Sequence, residues 1–167
     1  MISLDRRVEH WIVSHRTGAL DWLSILLSRI GVFGLVWLAI ALVLALVWRR
    51  PWVFAAVLVA DVAAELLADL GKLVIHRHRP FEHQLGPHTS THSFPSGHTS
   101  TSFACATVLA GYVPRWRVPL YVLATLIALS RLYNGDHYPL DVLGGLVLGL
   151  LVGVTITRAA SRRERTS

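Results

Sequence analysis

The chain has 167 residues, of which 53% are hydrophobic, and its mean hydropathy is +0.51. This composition is too apolar for an ordinary soluble domain, and the apolar residues fall in long runs, as they do in integral membrane proteins. The formal net charge is +6, but the basic residues cluster at the ends of these runs, which argues against a nucleic-acid-binding protein.

The N-terminal segment predicts a helix that lies on the membrane surface. It is too polar to span, and it lacks the uninterrupted apolar core of a signal peptide. Its apolar residues recur at the spacing of one helical face, namely Leu4, Val8, Trp11 and Ile12. Residues 19–29 either extend the first membrane span or form a second surface turn.

Five later segments predict membrane-spanning helices, and these are residues 30–48, 52–75, 94–113, 118–133 and 138–157. The first contains no charge, and at about 1.5 Å per residue it reaches roughly 28 Å, the thickness of one hydrocarbon core. We therefore predict an all-α integral membrane bundle of about five spans, or six, with an N-terminal amphipathic interfacial helix. No linker divides the chain, so residues 1–167 are expected to form one domain.

Basic residues mark three places that five spans would put on one side of the membrane. They are Arg49 and Arg50, Arg115 and Arg117, and the tail with Arg158, Arg162, Arg163 and Arg165. The positive-inside rule makes this side cytoplasmic, so we expect a multi-pass protein of the cell membrane. The N-terminal arginines would then lie outside, which weighs against this orientation; they are Arg6, Arg7, Arg16 and Arg29.

The connections on the opposite, extracytoplasmic side hold nearly all the reactive side chains. The connections are residues 72–98 and 131–137. With Asp141 just beyond the second, they supply three cations, two histidines, a carboxylate and a helix start: Lys72, Arg79, Ser96, Gly97, His98, Arg131, His137 and Asp141. Cations beside histidines oppose a protonated imidazole unless an anion joins them. The set therefore predicts a polyanionic ligand, and phosphate fits best.

The start of the third span favours the same ligand. Gly97 lets the backbone come close, and the first N–H groups of a helix have no internal partners. Asp141 follows His137 by one helical turn and is placed to hold one ring nitrogen, which leaves the other free. A histidine nucleophile with a second histidine as acid requires no metal.

Each of these residues has a simpler interpretation when it is taken alone. Ser96 or Thr99 is a normal helix cap, with His98 merely exposed beside it. A lysine such as Lys72 extends its ammonium group to the membrane surface. An arginine such as Arg131 anchors a helix end, and Asp141 suits a helix N-terminus. The occurrence of all of them at one membrane face favours a site.

Three motifs carry a resemblance to a known family. Lys72 to Pro80 reads Lys, six residues, Arg-Pro; residues 95–98 read Pro-Ser-Gly-His; and Ser130 to Asp141 reads Ser-Arg, five residues, His, three residues, Asp. In this order and without substitution, they resemble the motifs of the type 2 phosphatidic acid phosphatase family. That family also contains vanadium haloperoxidases and soluble acid phosphatases. The resemblance covers residues 72–141.

The resemblance implies a role for each site residue. His137 is expected to take the phosphoryl group as a phosphohistidine, and Asp141 to orient it. His98 is expected to protonate the leaving oxygen and then to activate water. The remaining residues would bind the phosphate oxygens, and they are Lys72, Arg79, Arg131, Ser96 and the Gly97 amide. The family chemistry implies no metal and no cofactor.

The place of the site predicts the substrate class. A pocket at the membrane surface favours a membrane lipid phosphate, and small family members resemble undecaprenyl diphosphate phosphatases. Phosphatidic acid and phosphatidylglycerol phosphate are the alternatives, because the motifs bind the phosphate and not the lipid tail. From other classes we keep a lipid-phosphate binding or transport protein and, less favoured, a haloperoxidase.

Three further features have no assigned role from sequence. Asp61, Glu65 and Asp69 share a face of the second span, where they either pair internally or form a polar track, with Asp69 and Glu65 as secondary site residues. Five histidines at 76, 78, 83, 88 and 92 suggest either a zinc site or an aqueous loop over the headgroup. A stripe of Gly145, Gly149 and Gly153 faces another span or a homodimer partner.

Overall fold

The computed structural model describes residues 2–80, 84–85 and 92–166, and in this part of the chain the fold is all-helical. Seven α-helices follow one another: α1 Ile2–Ser14, α2 Gly18–Ile30, α3 Leu35–Trp48, α4 Pro51–Ile75, α5 Gly97–Tyr112, α6 Arg117–Tyr133 and α7 Pro139–Thr166. Short 3-10 turns occupy Val32–Gly34 and Pro114–Trp116. The predicted all-α class is confirmed.

The core of the bundle is α5, which packs against α4, α6 and α7. Apart from His98, every residue from Gly97 to Ala110 is buried, and most have small side chains. Small side chains allow helix axes to come close, which is the usual way that helices pack in membranes. Helix α5 is thereby enclosed by three neighbouring helices.

The glycine stripe of α7 packs against α5 of the same chain. A β-carbon on Gly145 would lie 2.6 Å from the carbonyl oxygen of Ser96, and one on Gly149 would overlap the carbonyl oxygen of Ser100. A β-carbon on Gly153 would lie 2.6 Å from Cβ of Thr107. The stripe is therefore filled within the chain, and the homodimer considered from the sequence has no support.

Large apolar side chains cover the outside of the molecule, whereas many polar side chains lie inside. Leu46, Val47 and Leu151 are each more than 60% exposed, while Asp61, Ser100 and other polar residues are buried. Water disfavours such extensive apolar exposure, but a lipid environment tolerates it.

One described helix, within Pro139–Arg162, is by itself long and apolar enough to cross a membrane. In the described part of the chain, α2 and Val32–Trp48 meet the same criterion only as a pair bent by 60°. The break lies at residues 31–34, where Phe33 and Gly34 have positive φ angles of 47° and 61°. Residues 30–34, which the apolar run assigns to the first span, thus precede α3, and the count of five or six spans stays a prediction.

Helix α1 forms where the apolar spacing predicted it, and its apolar face points outward. Leu4 and Trp11 are 59% and 62% exposed, whereas Asp5 and Glu9 are buried against the rest of the protein. A helix that turns large apolar side chains outward and two carboxylates inward suits a position at the lipid interface. At the other end of the chain, α7 continues past the predicted end at residue 157 into the basic tail.

Candidate active site

The predicted site residues lie where four helices begin or end at one end of the bundle. Lys72 is in the last turn of α4 and Arg131 in the last turn of α6. Ser96 occupies the N-cap position of α5 without a side-chain capping hydrogen bond, Gly97 and His98 are in its first turn, and Asp141 is in the first turn of α7. Arg79 and His137 belong to the connections between these helices.

Asp141 lies beside one ring nitrogen of His137. Oδ2 of Asp141 is 3.6 Å from Nδ1 of His137 and accepts a hydrogen bond from the backbone N–H of Tyr138 at 2.9 Å. Its other oxygen accepts from Nη1 of Arg77 at 2.7 Å. The carboxylate is wholly buried, so these contacts fix it behind the imidazole.

The second ring nitrogen of His137 faces the arginines. Nη1 of Arg79 lies 3.2 Å from Nε2 of His137 and also donates to the carbonyl oxygen of Asp136 at 3.1 Å. Nη2 of Arg131 pairs with the Asp136 carboxylate at 2.9 Å, and Nη1 of Arg131 donates to the Ser28 hydroxyl. Asp136 thus holds both arginines next to His137, and sequence reasoning had not singled it out.

Burial and the surrounding positive charges favour the neutral form of the His137 ring. Burial lowers the pKa of His137 well below its ordinary value of 6.5, and the positive charges of Arg79, Arg131 and Lys72 lower it further. Burial and Arg131 also lower the pKa of Arg79. A buried anion would offset this excess of positive charge, and it would find an unprotonated ring nitrogen beside it.

His98 is the second histidine of the site. Its Nε2 atom is buried and has no hydrogen-bond partner among the described residues. The helix start beside it is tied to α7, because the backbone N–H of Ser96 donates to the carbonyl oxygen of Asp141 at 3.0 Å. Ser96 Oγ accepts from Thr99 at 3.1 Å. These contacts hold α5 and α7 in register around the two histidines.

The acidic face of α4 does not form one track. Nζ of Lys72 donates to Asp69 at 2.7 Å, as the pairing interpretation predicted, and Asp69 is largely exposed. Glu65 lies against Gly97, whose β-carbon would come within 2.9 Å of Oε2. Asp61 lies deeper, beside Gly34, with Cys105 Sγ 3.9 Å from its Oδ1. Only Glu65 and Asp69 therefore border the site.

The histidine-rich connection gives no sign of a zinc site in its described part. The rings of His76 and His92 pack with centroids 4.7 Å apart, and those of His78 and His92 are 6.4 Å apart. His83 and His88 lie outside the described residues. Among the residues that the structure describes, no three His, Cys, Asp or Glu side chains are grouped to hold a metal ion.

Sequence reasoning missed Arg77 and Asp5. Arg77 lies inside the first motif, at a position that the motif leaves open, and its guanidinium joins Asp141 to Asp5 of α1. The signal for Arg77 was its place within the motif. No local pattern connects Asp5, 72 residues earlier, with the site.

Residues 50–165 match the family model described as the PAP2 superfamily. The chain belongs to this superfamily. The match covers the four helices α4 to α7 and the connections that bear the site, so the resemblance seen in the three motifs is confirmed.

Relatives and solved structures agree on the class of PAP2 protein. An undecaprenyl-diphosphatase of Bacillus subtilis is 29% identical over 157 residues, 87% of this chain and 78% of the relative. A decaprenylphosphoryl-5-phosphoribose phosphatase of Mycobacterium tuberculosis is 34% identical over 145 residues, 83% and 80% of the two chains. The crystal structure of a transmembrane PAP2 type phosphatidylglycerolphosphate phosphatase from Bacillus subtilis superposes with a TM-score of 0.83 at 28% identity, covering 96% of this chain and 86% of that one. This PAP2 protein is a membrane-bound lipid phosphatase.

Proposed function

We propose that this PAP2 protein hydrolyses undecaprenyl diphosphate through a phosphohistidine at His137, without a metal ion. The observation that carries the proposal is a buried, neutral imidazole with a carboxylate behind Nδ1 and an arginine at Nε2. Such a ring is a nucleophile placed where phosphate oxygens would be bound.

Two displacements at phosphorus complete the reaction. In the first, Nε2 of His137 bonds to the terminal phosphorus, the bond to the leaving oxygen breaks, and His98 gives that oxygen its proton. In the second, His98 takes a proton from water, the water oxygen bonds to phosphorus, and the phosphohistidine bond breaks to release inorganic phosphate. Asp141 orients the ring throughout.

The cations stabilise the charge that these steps develop. Lys72, Arg79 and Arg131 bind the non-bridging oxygens, joined by the Ser96 hydroxyl and the Gly97 N–H at the start of α5. Arg79 and Arg131 are held by Asp136 before any ligand arrives, so little reorganisation is needed when the phosphate binds.

An apolar groove beside the site supports a lipid substrate. The groove has a volume of about 270 Å³, lies between α2 and α6, and is lined by residues that include Leu23, Leu27 and Leu129. Leu27 is followed directly by Ser28, which binds Arg131. A phosphate at Arg131 would thus have an apolar channel beside it for its hydrocarbon chain.

Relatives favour a polyprenyl chain over a diacylglycerol chain. Two of the relatives are named for undecaprenyl and decaprenyl substrates. The structural similarity to a phosphatidylglycerolphosphate phosphatase makes that lipid the second candidate.

The experiment that tests the proposal is phosphate release by purified protein in detergent, with a metal chelator present. The panel contains undecaprenyl diphosphate, phosphatidylglycerol phosphate and phosphatidic acid, and we expect chelator-resistant release that is fastest with the first. A requirement for added metal would overturn the mechanism, and a preference for another lipid would overturn the substrate. Binding without release would favour the lipid-binding or transport alternative.

We further propose that the site opens on the extracytoplasmic side of the cell membrane, with about five spans. The site lies at the C-terminal ends of α4 and α6 and at the N-terminal ends of α5 and α7. The basic segments between α3 and α4, between α5 and α6, and after α7 are at the other ends of these helices. In a Cys105→Ser background, the variant His78→Cys is expected to react with a membrane-impermeant maleimide on intact cells. The variant Ser161→Cys should react with the maleimide only after the cells are lysed. Labelling of Ser161→Cys but not of His78→Cys on intact cells would contradict this orientation.

The low pKa of His137, which lies in a connection outside the helices, predicts how the protein responds to acid. Because an unfolded histidine takes up a proton near pH 6.5 and the buried ring does not, this group lowers folding stability as pH falls below 6.5. We expect NMR titration to place the His137 midpoint below 6.5. Arg79→Gln should raise the midpoint by removing a positive charge, and a wild-type midpoint above 6.5 would contradict the prediction.

A further inference from the structure

A chain of charged contacts runs from the catalytic carboxylate to the N-terminal helix. Nη1 of Arg77 donates to Oδ1 of Asp141 at 2.7 Å, and Nη2 of Arg77 donates to Oδ2 of Asp5. The guanidinium lies over the ring of Tyr138, with Cζ 4.6 Å from the ring centroid. One arginine therefore joins two carboxylates that are 136 positions apart in sequence, counted from 5 to 141.

The second oxygen of Asp5 reaches the start of α7. Oδ1 of Asp5 accepts the backbone N–H of Leu140 at 3.0 Å. That N–H belongs to the first turn of α7, where backbone donors have no partner within the helix and a negative charge is favourable. Asp5 thus holds both the arginine that binds Asp141 and the helix turn that carries Asp141.

The burial of Asp5 argues that the contact is more than a surface ion pair. The Asp5 side chain is 2% exposed, on a helix whose apolar residues face outward. Burying a carboxylate is costly unless it is paired and hydrogen-bonded, and here both of its oxygens are used. A helix that only rested on the membrane would not require an inward-facing carboxylate at this position.

We infer that Asp5 is a positioning residue for the phosphatase reaction, acting through Arg77 to hold Asp141 against His137. The inference rests on the proposed function, in which His137 is the nucleophile. Asp141 contacts His137 at 3.6 Å, close to the limit of a useful interaction, so a small shift of the carboxylate changes the orientation of the ring. Without Asp5, the guanidinium of Arg77 could rotate. The hydrogen bond to Asp5 fixes the side of the guanidinium that does not bind Asp141.

The variant D5N tests the inference, because an asparagine oxygen can still accept the Leu140 N–H while the negative charge that pairs with Arg77 is lost. We expect kcat to fall about tenfold to hundredfold with KM unchanged, and formation of the phosphoenzyme to slow in proportion. The matched control is D21N, which removes a carboxylate of α2 that accepts from the hydroxyl of Tyr133 at 2.8 Å and makes no contact with Asp141. D21N should leave kcat at the wild-type value.

A double-mutant cycle separates positioning from general stability. If Asp5 acts through Arg77, adding D5N to R77A should cause no further loss of kcat. Additive losses, or a D5N variant whose folded fraction has wild-type kcat, would overturn the inference. Should D5N fail to fold, R77K serves in its place, because lysine cannot hold both carboxylates in the fork of a guanidinium, and it should show the same fall in kcat.

The same experiment distinguishes this inference from the proposed function. Absence of phosphate release by the wild-type protein from every lipid in the panel would overturn the proposed function itself. Normal release by the wild-type protein, with unchanged kcat in D5N and R77K, would overturn the role of Asp5 alone.

Discussion

His137→Ala is expected to lower phosphate release at least about 10⁴-fold, because no other group in the described site is placed to form the covalent intermediate. Radiolabelled substrate, quenched rapidly in base, should trap a phosphohistidine in the wild-type protein and none in the variant. Lipid binding should persist, since the three cations that hold the phosphate remain.

The matched control for this variant is His15→Ala, which removes an exposed histidine just after α1. It should keep wild-type turnover and wild-type labelling. Turnover by His137→Ala at the wild-type rate would contradict the nucleophile assignment. Labelling that persists in His137→Ala would move the covalent bond to another residue.

His98→Ala is expected to cause the second largest loss, about 10²–10⁴-fold with phosphatidylglycerol phosphate, because its leaving alkoxide then departs without a proton. The loss should shrink with undecaprenyl diphosphate and with an aryl phosphate, because their leaving groups, a phosphate and a phenolate, are stable as anions. Since His98 also activates water, the phosphoenzyme should then accumulate, and rapid-quench labelling would detect it.

The aryl substrate is the internal control for His98. Equal losses with phosphatidylglycerol phosphate and the aryl substrate would contradict a role in protonating the leaving group. A variant that releases phosphate from the aryl substrate without accumulating phosphoenzyme would contradict the role in activating water. His98 Nε2 is buried without a described partner, so Ala at this position removes no hydrogen bond within the described part of the protein.

Sequence reasoning predicted the helical class and the residues that the structure brings together at the candidate site, because both leave local signals. Apolar runs and their charged ends predicted α4 to α7 to within a few residues, except that α7 continues to Thr166. The three motifs placed His98, His137 and Asp141 at helix starts and turns, which is where the structure has them. Within each motif, the local turn fixes how far apart these residues lie, so their positions can be predicted from the sequence alone.

Other features depend on contacts that no local pattern records. The break at Gly31 to Gly34 occurs in an uncharged run that looks continuous, and its position reflects how closely Gly34 approaches Asp61 of α4. The glycine stripe of α7 faces α5, and this choice of neighbour depends on how the two helices pack. Asp136 and Asp5 bind arginines of the site from a turn and from a distant helix, so neither is apparent from spacing.

The contrast between the buried α5 and the outward-facing α1 has a consequence for how activity is lost on heating. Amide hydrogens of a helix enclosed on every side exchange with solvent only when the whole domain opens, whereas a peripheral helix detaches at a much lower free energy. His98 belongs to the first kind of element and Asp5 to the second. Warming would therefore detach α1 first. The protein would then lose phosphatase activity while helices α4 to α7 were still folded.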